Sequence, residues 1–183
     1  MGATGATTAT FIGYAAGYTA LDADYATFVG RGAGFAAANA QYSNFIGYQS
    51  GYNANNAANS IFIGKNAGNG DLVNNIASGS SIAIGDGAGT GGNSNSIALG
   101  ASAINTLPNQ LLIGSSYTNF NVRGINYVWP STQAGGAGYA LVNNGSGTLS
   151  WSSVASVGGS NGEIQYNNNG SLGGIPAITY NGA

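Results

Sequence analysis

Cysteine and histidine are absent from this 183-residue chain, and charged residues are rare, with 3 Lys+Arg and 5 Asp+Glu. Without cysteine the chain can form neither disulfides nor thiolate metal sites. Without histidine it lacks the commonest general base and metal ligand. A net charge of −2 gives no basic surface for nucleic acid. We therefore predict that the chain is not an enzyme and has no catalytic residue, cofactor, metal site or nucleic-acid partner.

Long apolar runs are missing as well. No stretch approaches the roughly 18 uninterrupted apolar residues of a membrane span, so we predict no membrane insertion. The start, Met1-Gly2-Ala3-Thr4-Gly5, has neither the basic nor the apolar segment of a signal peptide. With so little charge, we expect much side-chain surface to be buried between chains. The first copy of a repeat begins at residue 11, close to the start, which suggests that this chain is a piece of a longer protein.

Glycine is abundant, with 33 copies, and it marks that repeat. The stretch Phe11-Ile12-Gly13-Tyr14-Ala15-Ala16-Gly17-Tyr18 returns at 28–35, 45–52 and 62–69, with a divergent copy at 83–90. The leading glycines lie at 13, 30, 47, 64, 85, 100 and 114, so the steps are 17, 17, 17, 21, 15 and 14 residues. Three equal steps with a matching internal glycine indicate a repeat protein.

Apolar pairs two residues apart precede the leading glycines, as in Ile61 with Ile63 and Ile97 with Leu99. Such pairs share one face of a strand, whereas two glycines in each coil disfavour a helix. Strands of about four residues are unstable alone, so successive coils must stack in a parallel ladder. The sequence therefore predicts an all-β fold, a parallel β-solenoid or β-roll of about seven coils over residues 1–120.

The repeated glycines are predicted to occupy turns with positive φ, which glycine adopts without a steric penalty. They are Gly13, Gly17, Gly30, Gly34, Gly47, Gly51, Gly64, Gly68, Gly85 and Gly89. The glycines of Gly30-x-Gly32-x-Gly34 also resemble a nucleotide-binding loop. No helix pattern or Walker lysine follows them, so the repeat explains them better.

The period-2 pattern also suggests which residues face inward. We predict that pairs such as Thr10 with Ile12 point into the solenoid, which places Phe11 outside. Aromatic residues outside a monomer would form a large exposed apolar patch, so we predict interchain packing at two sets of positions. These are Phe11, Phe28, Phe45, Phe62, Tyr18, Phe35 and Tyr52. A homotrimer is the expected assembly, although the sequence does not specify the number of chains.

Two further groups are weak candidates for binding. Tyr14, Arg31, Tyr48 and Lys65 each follow a leading glycine, and in one column they could contact a glycan with aromatic and cationic groups. The alternative is that these four side chains face solvent or pack between chains. Asp22-x-Asp24 is the one close carboxylate pair, and it offers too few oxygens for calcium.

The coil pattern stops after Gly114. Asn144-Gly145 and Asn169-Gly170 lie between strand-like runs, which is a strong hairpin signal. We predict a hairpin-rich fibrous region, with a β-hairpin stem or connector at 121–157. A second short β segment at 158–183 would continue into a longer fibre.

These motifs resemble two groups of proteins. Ser-Ile-Ala-Ile-Gly (81–85) and Ser-Ile-Ala-Leu-Gly (96–100) resemble the head repeats of trimeric autotransporter adhesins, which form left-handed parallel β-rolls. Phe-Ile-Gly-Tyr-x-x-Gly-Tyr at 11–18 and 45–52 resembles a variant found in phage tail-fibre and related virion proteins, as does Trp129-Pro130-Ser131. The resemblance implies a trimeric fibre segment of a virion, acting as a spacer and in host-surface attachment. Its implied partners are identical chains, other virion or fibre proteins and a host cell-surface glycan.

Two alternatives remain open. The chain could be the head segment of a bacterial trimeric adhesin at the cell surface, which a signal peptide or a C-terminal barrel in the full-length gene would favour. It could also be a monomeric ligand-binding solenoid of the ice-binding kind. That class needs a regular threonine array, whereas Thr10 and Thr27 are followed by Asn44 and Ile61.

Overall fold

A computed structural model describes residues 2–72, 80–114, 119–154, 160, 163–169 and 171–180. Every regular element in these ranges is a β-strand. The chain divides into two compact units, residues 1–117 and 118–183. The first is a parallel β-solenoid and the second consists of antiparallel hairpins, so the predicted fold class is confirmed. The predicted boundary between 157 and 158 lies outside the described residues.

The solenoid contains one three-residue strand in each coil, and its seven strands form one parallel sheet in chain order. The strands are β1 (Thr10–Ile12), β2 (Thr27–Val29), β3 (Asn44–Ile46), β4 (Ile61–Ile63), β5 (Ile82–Ile84), β6 (Ile97–Leu99) and β7 (Leu111–Ile113). Equivalent repeat positions pair directly, as Phe11 does with Phe28. Each residue therefore lies on its own equivalent in the next coil.

A second parallel ladder connects the coils away from the strands. It is made of single bridges that join Thr4, Leu21, Ala38, Asn55 and Leu72 in succession. Turn residues add further bonds between coils, such as Gly17 N–H to Ala33 C=O at 2.9 Å. Strands of three residues suffice because most of the backbone bonding is between coils, which satisfies groups that a short strand leaves unpaired.

Positive φ is confirmed at nine of the ten predicted glycines, and Gly89 is the exception. The leading glycines from Gly13 to Gly100 have φ between 120° and 138°. A Cβ at Gly13 would lie 2.6 Å from the Gly30 carbonyl oxygen, so close coil stacking excludes any side chain there. At Gly17, φ is 63° and a Cβ would lie 2.6 Å from the Phe11 ring. The second glycine therefore makes room for an aromatic ring.

Positive φ also occurs at residues other than glycine. Thr8, Tyr25, Tyr42 and Asn59 form a column in which every φ is 57°. The backbone N–H of Tyr42 donates to Asp24 C=O at 2.9 Å, and that of Asn59 donates to Gln41 C=O at 2.9 Å. These bonds to the preceding coil offset the cost of a left-handed conformation, which is about 1–2 kcal/mol per residue.

The solenoid core is a stack of phenylalanine rings surrounded by small residues. Phe28, Phe45 and Phe62 are fully buried, and consecutive rings from Phe11 onward stack nearly parallel, with centroids 4.7–4.9 Å apart. Alanines such as Ala20 and Ala40 and the buried Ser43 fill the remaining space. All of these contacts are within one chain.

The predicted inward and outward faces are therefore wrong. Phe11, Phe28, Phe45 and Phe62 pack inside their own chain and are not interchain residues. The residues predicted to face inward lie outside instead, and Ile12 is 57% exposed. The physical reason is that each ring fits over the bare backbone of the second glycine, at Gly17, Gly34, Gly51 and Gly68. An isoleucine could not lie flat in that narrow space.

Coil length and core residue change together along the rod. The three 17-residue steps join coils with phenylalanine in the core, whereas Ala83 and Ala98 occupy that position where the steps fall to 15 and 14 residues. The ring stack therefore ends at Phe62, and the 21-residue step from Gly64 to Gly85 separates the coils with phenylalanine from the coils with alanine. No phenylalanine ring packs against Gly89, and its φ is not positive. Gly89 instead forms a parallel bridge with Ile104 of the next coil.

A buried carboxylate lies where the wider and narrower coils meet. Asp71 is 7% exposed. It accepts hydrogen bonds from the Thr90 hydroxyl at 2.9 Å and from Gly92 N–H at 2.8 Å. Hydrogen bonds to a charged acceptor are among the stronger ones in proteins. Asp71 thus connects the last wide coil to the turn of the next one.

The second unit consists of three antiparallel hairpins. Their strands are β8 (Asn119–Val122), β9 (Ile125–Val128), β10 (Tyr139–Asn143), β11 (Leu149–Ser153), β12 (Glu163–Asn168) and β13 (Ser171–Thr179). The predicted turn at Asn144-Gly145 is present, and the Asn144 side chain accepts from Ser146 N–H at 2.9 Å and from Thr148 N–H at 3.1 Å. The second predicted hairpin is formed by β12 and β13.

The ring stack predicts where the solenoid is most sensitive to truncation. Phe45→Ala should lower the free energy of unfolding by about 3–5 kcal/mol, because it leaves a cavity between two buried rings. Urea denaturation at one fixed protein concentration measures this loss. Tyr42→Ala, which removes a 59% exposed ring, is the control and should cost about 1 kcal/mol or less. Equal losses at the two positions would contradict the core assignment.

Candidate interaction surfaces

The outward side of the seven-stranded sheet is almost entirely aliphatic. We define the outer apolar face as Ile12, Val29, Ile46, Ile61, Ile63, Ile82, Ile84, Ile97, Leu99, Leu111 and Ile113. Exposure reaches 57% at Ile12 and 61% at Leu111, and the rest are half-buried or exposed. No strand residue of the solenoid is charged.

This face is continuous along the rod. Strands in a sheet lie about 4.8 Å apart, so seven of them extend over roughly 29 Å. Thr10, Thr27 and Asn44 interrupt one of the two columns in the first three strands, and from Ile61 onward both columns are apolar. A contiguous apolar surface of this kind is typical of an interaction site. Sequence reasoning missed it because it placed these side chains inside.

The aromatic residues of the second turn also stack within the chain. The Tyr18 and Phe35 rings are 5.5 Å apart, and the Phe35 and Tyr52 rings are 4.8 Å apart. Tyr18 is 44% exposed, whereas Phe35 and Tyr52 are half-buried. Their predicted interchain contact remains a prediction. Sequence reasoning also missed the exposed pair Tyr25 and Tyr42, whose rings stack at 5.1 Å and whose 17-residue spacing could have revealed it.

The four residues that follow the leading glycines lie in one column, as predicted for a stacked repeat. The Arg31 guanidinium lies over the Tyr14 ring at 5.7 Å and over the Tyr48 ring at 5.5 Å. Its Nη1 also donates to the Tyr48 hydroxyl at 3.3 Å. Lys65 forms an ion pair with Asp86 at 2.9 Å. Arg31 is therefore held between two aromatic faces, while the charge of Lys65 is balanced.

An open groove of about 190 Å³ lies beside this arginine. Tyr14, Arg31, Phe35, Gln49 and Tyr52 contribute to its lining. Gly32 also lines the groove and leaves it open, because a Cβ there would meet nothing closer than Gln49 Cγ at 3.5 Å. The groove thus combines aromatic surface with an amide and a guanidinium, and these last two groups can hydrogen-bond a polar ligand.

The carboxylate pair has a structural role at Asp24. That side chain accepts hydrogen bonds from the hydroxyl and from the backbone N–H of Thr7, each at 2.6 Å. Both bonds favour the charged form, the hydroxyl bond more strongly, and they lower the pKa of the Asp24 carboxyl. Within the described ranges, no group of three or more acidic side chains comes together to hold a metal ion.

No described stretch forms a helix of the length and apolarity that a membrane span requires. Comparison with known proteins finds no matching family model, no similar curated protein and no similar solved structure.

The Thr7–Asp24 contact predicts how solenoid stability depends on pH. Because the pKa of Asp24 is lower in the folded chain, its charged form stabilises the fold above about pH 4, and this contribution is lost as the pH falls through the lower folded pKa. Asp24→Asn should therefore reduce the drop in the thermal unfolding midpoint on acidification. Thr7→Val should reduce it in the same direction. An unchanged pH profile in both variants would show that the contact contributes nothing.

Proposed function

We propose that this chain is a structural fibre segment, a homotrimeric spacer in a phage tail fibre or similar virion appendage. The observation that supports it is the outer apolar face, which runs along the whole sheet and stays half-buried or exposed in the part of the chain that the structure describes. A stack of coils whose outer apolar face carries no charged residue is better suited to a structural spacer than to an enzyme or a ligand-binding protein.

Copies of the same chain are the natural cover for this face. Its rows repeat at the strand spacing of about 4.8 Å, so an identical rod aligned beside it matches row for row. Three such faces directed at one axis would form a closed prism in which all are covered, consistent with closed symmetry in most oligomers. The number three follows the resemblance to trimeric adhesin heads. Burial of apolar area, worth roughly 25 cal/mol per Å², would drive the association.

The same surface supports the head of a bacterial trimeric adhesin as the second candidate. A signal peptide or a C-terminal membrane-anchor barrel in the full-length gene would favour that candidate over the virion. The ice-binding alternative loses support, because Thr10 and Thr27 do lie on the outward side but give way to Asn44 and Ile61 in the next two strands. Localisation in a virion or at a cell surface is part of the proposal.

Disrupting the outer apolar face should dissociate the assembly without unfolding the coils. The triple variant Ile63→Ser, Ile84→Ser and Leu99→Ser removes apolar contacts between chains but leaves the phenylalanine stack intact. Light scattering should show a trimer for the native chain and a monomer for the variant, with the same far-UV circular dichroism. Tyr25→Ser with Tyr42→Ser removes exposed apolar area elsewhere and should leave the trimer unchanged. A compact monomeric native chain would refute the proposal.

Attachment to a host glycan is the second part of the proposal. The groove beside Arg31 supports it, because that guanidinium lies between the Tyr14 and Tyr48 rings at the edge of the groove, and an arginine is well suited to hydrogen-bond a carboxylate. Among the described residues, the one ion pair found is Lys65 with Asp86, so Arg31 has its charge available.

Replacing this arginine should weaken binding to acidic saccharides. We expect Arg31→Gln to weaken binding to carboxylate-bearing glycans on an array by about ten- to a hundredfold, since a charged hydrogen bond is worth roughly 1.5–3 kcal/mol. Lys65→Gln is the matched control and should have little effect, because its charge is already paired. Equal binding by native chain and Arg31→Gln would remove Arg31 from the attachment surface and leave the spacer role untouched.

A further inference from the structure

The C-terminal unit has ordered hairpins but almost no interior. Among the described residues from 119 to 180, only Gly147 is buried. Large apolar side chains are left in solvent, including Trp129 at 50%, Trp151 at 38% and Tyr180 at 75% exposed. The solenoid, by contrast, buries a complete ring stack of its own. The two units therefore differ in whether one chain supplies a core.

The first hairpin is strongly amphipathic. In β8 and β9, Phe120 lies opposite Tyr127 and Val122 lies opposite Ile125, so these four side chains share one face. On that face Phe120 is 47%, Val122 42% and Ile125 53% exposed. The other face carries Asn121 and Asn126, joined by a hydrogen bond of 2.6 Å. The apolar face is thus the one that lacks a partner.

The other two hairpins also expose apolar side chains. In β10 and β11, Leu141 lies opposite Trp151, and the alternate pairs are Val142 with Ser150 and Ala140 with Ser152. In β12 and β13, Ile164 lies opposite Ile175. Tyr139 is 46%, Ile164 48% and Tyr166 44% exposed. Every hairpin therefore presents an apolar surface to solvent.

The hairpins do not cover one another within the chain. Among the described strands of this unit, β8 to β13, extensive packing occurs only between the two strands of each hairpin. The first and second are linked at their ends by a single bridge between Val128 and Thr148. An isolated two-stranded hairpin is marginally stable in water, and it needs a covered hydrophobic face to persist. The cover must therefore come from outside the hairpin unit of one chain.

We infer that the apolar faces of these hairpins are covered by the same hairpins of other copies of this chain, so that the C-terminal unit folds only when the chains associate. This inference rests on the self-association in the proposed function but concerns a separate part of the chain. The unit contains only two charged residues, Arg123 and Glu163, so little electrostatic repulsion opposes the approach of identical copies. Each hairpin also keeps two strand edges whose backbone groups can pair with another chain.

The two units would therefore have different roles. The solenoid is a coil stack that can persist as a single chain, whereas the hairpins gain their core from association. Because equivalent hairpins must meet, their assembly fixes the register of the chains. The C-terminal unit is then the element that couples folding to assembly.

Tryptophan fluorescence of the full chain tests this directly, because both tryptophans, Trp129 and Trp151, lie in the C-terminal unit. Emission and acrylamide quenching are followed over a dilution series whose oligomer fraction is measured by light scattering. We expect shielded tryptophans in the oligomer. As it dissociates they should become as exposed as in urea, while the far-UV circular dichroism of the solenoid persists.

The possible results separate this inference from the proposed function. An oligomer whose tryptophans are as exposed as in urea would overturn the inference and leave the spacer role standing. Shielded tryptophans in a monomer would also overturn it, since the chain would then cover its own hairpins. A monomer with exposed tryptophans at every concentration would overturn both, because no copy ever provides the cover.

Matched substitutions on the two faces of the first hairpin sharpen the test. Ile125→Thr keeps a β-branched residue but places a hydroxyl on the apolar face, and it should raise the midpoint concentration of dissociation by about tenfold. Asn126→Thr, the neighbouring residue on the polar face, should shift it far less. Equal shifts for the two variants would contradict an interchain role for the apolar face.

Discussion

The solenoid depends on like residues stacking on like residues at the spacing of a β ladder. Backbone hydrogen bonds fix the distance between coils, and so each column must hold side chains that tolerate their own equivalent about 4.8 Å away. Aromatic rings meet this requirement, as in the stack at 4.7–4.9 Å. Asparagines do so by side-chain bonding, as between Asn39 and Asn56 at 2.8 Å. Like charges cannot, which explains why the chain contains so few. Where charges occur they adjoin neutral or opposite groups, as Arg31 adjoins Tyr48 and Lys65 adjoins Asp86.

The same constraint fixes the inside and the outside of the rod. A flat ring can be repeated along the axis when the neighbouring backbone is bare, and the second glycine of each wide coil provides that space. The aliphatic residues on either side of the ring are then directed outward, where their rows form the outer apolar face. The surface available for association is therefore a consequence of how the core is packed. It lies on the sheet and not on the phenylalanines.

The two units meet the need for a hydrophobic core in different ways. In the solenoid each coil covers its neighbour, so a single chain buries Phe28, Phe45 and Phe62 completely. In the hairpin unit the strands pair only in twos and their apolar faces remain open. The first arrangement supplies a core within one chain, and the second leaves apolar side chains exposed. In the fibre segment that we propose, the coils would provide the length and association of the hairpins would provide the second core.

The sequence by itself determined the fold class, the seven strands of the solenoid and most of its turn glycines, but it did not reveal the hairpin of β8 and β9. The 17-residue period of the first four coils places equivalent residues in register, and the glycines and Asn144-Gly145 mark turns through their backbone preferences. It also placed Tyr14, Arg31, Tyr48 and Lys65 in one column. Which side of the strand faces the core was decided only by the tertiary structure. An alternation with period 2 fits equally well whether the phenylalanines or the aliphatic residues face the core. The structure selects phenylalanine, because its ring lies flat over the bare backbone of the second glycine in each wide coil, at Gly17, Gly34, Gly51 and Gly68.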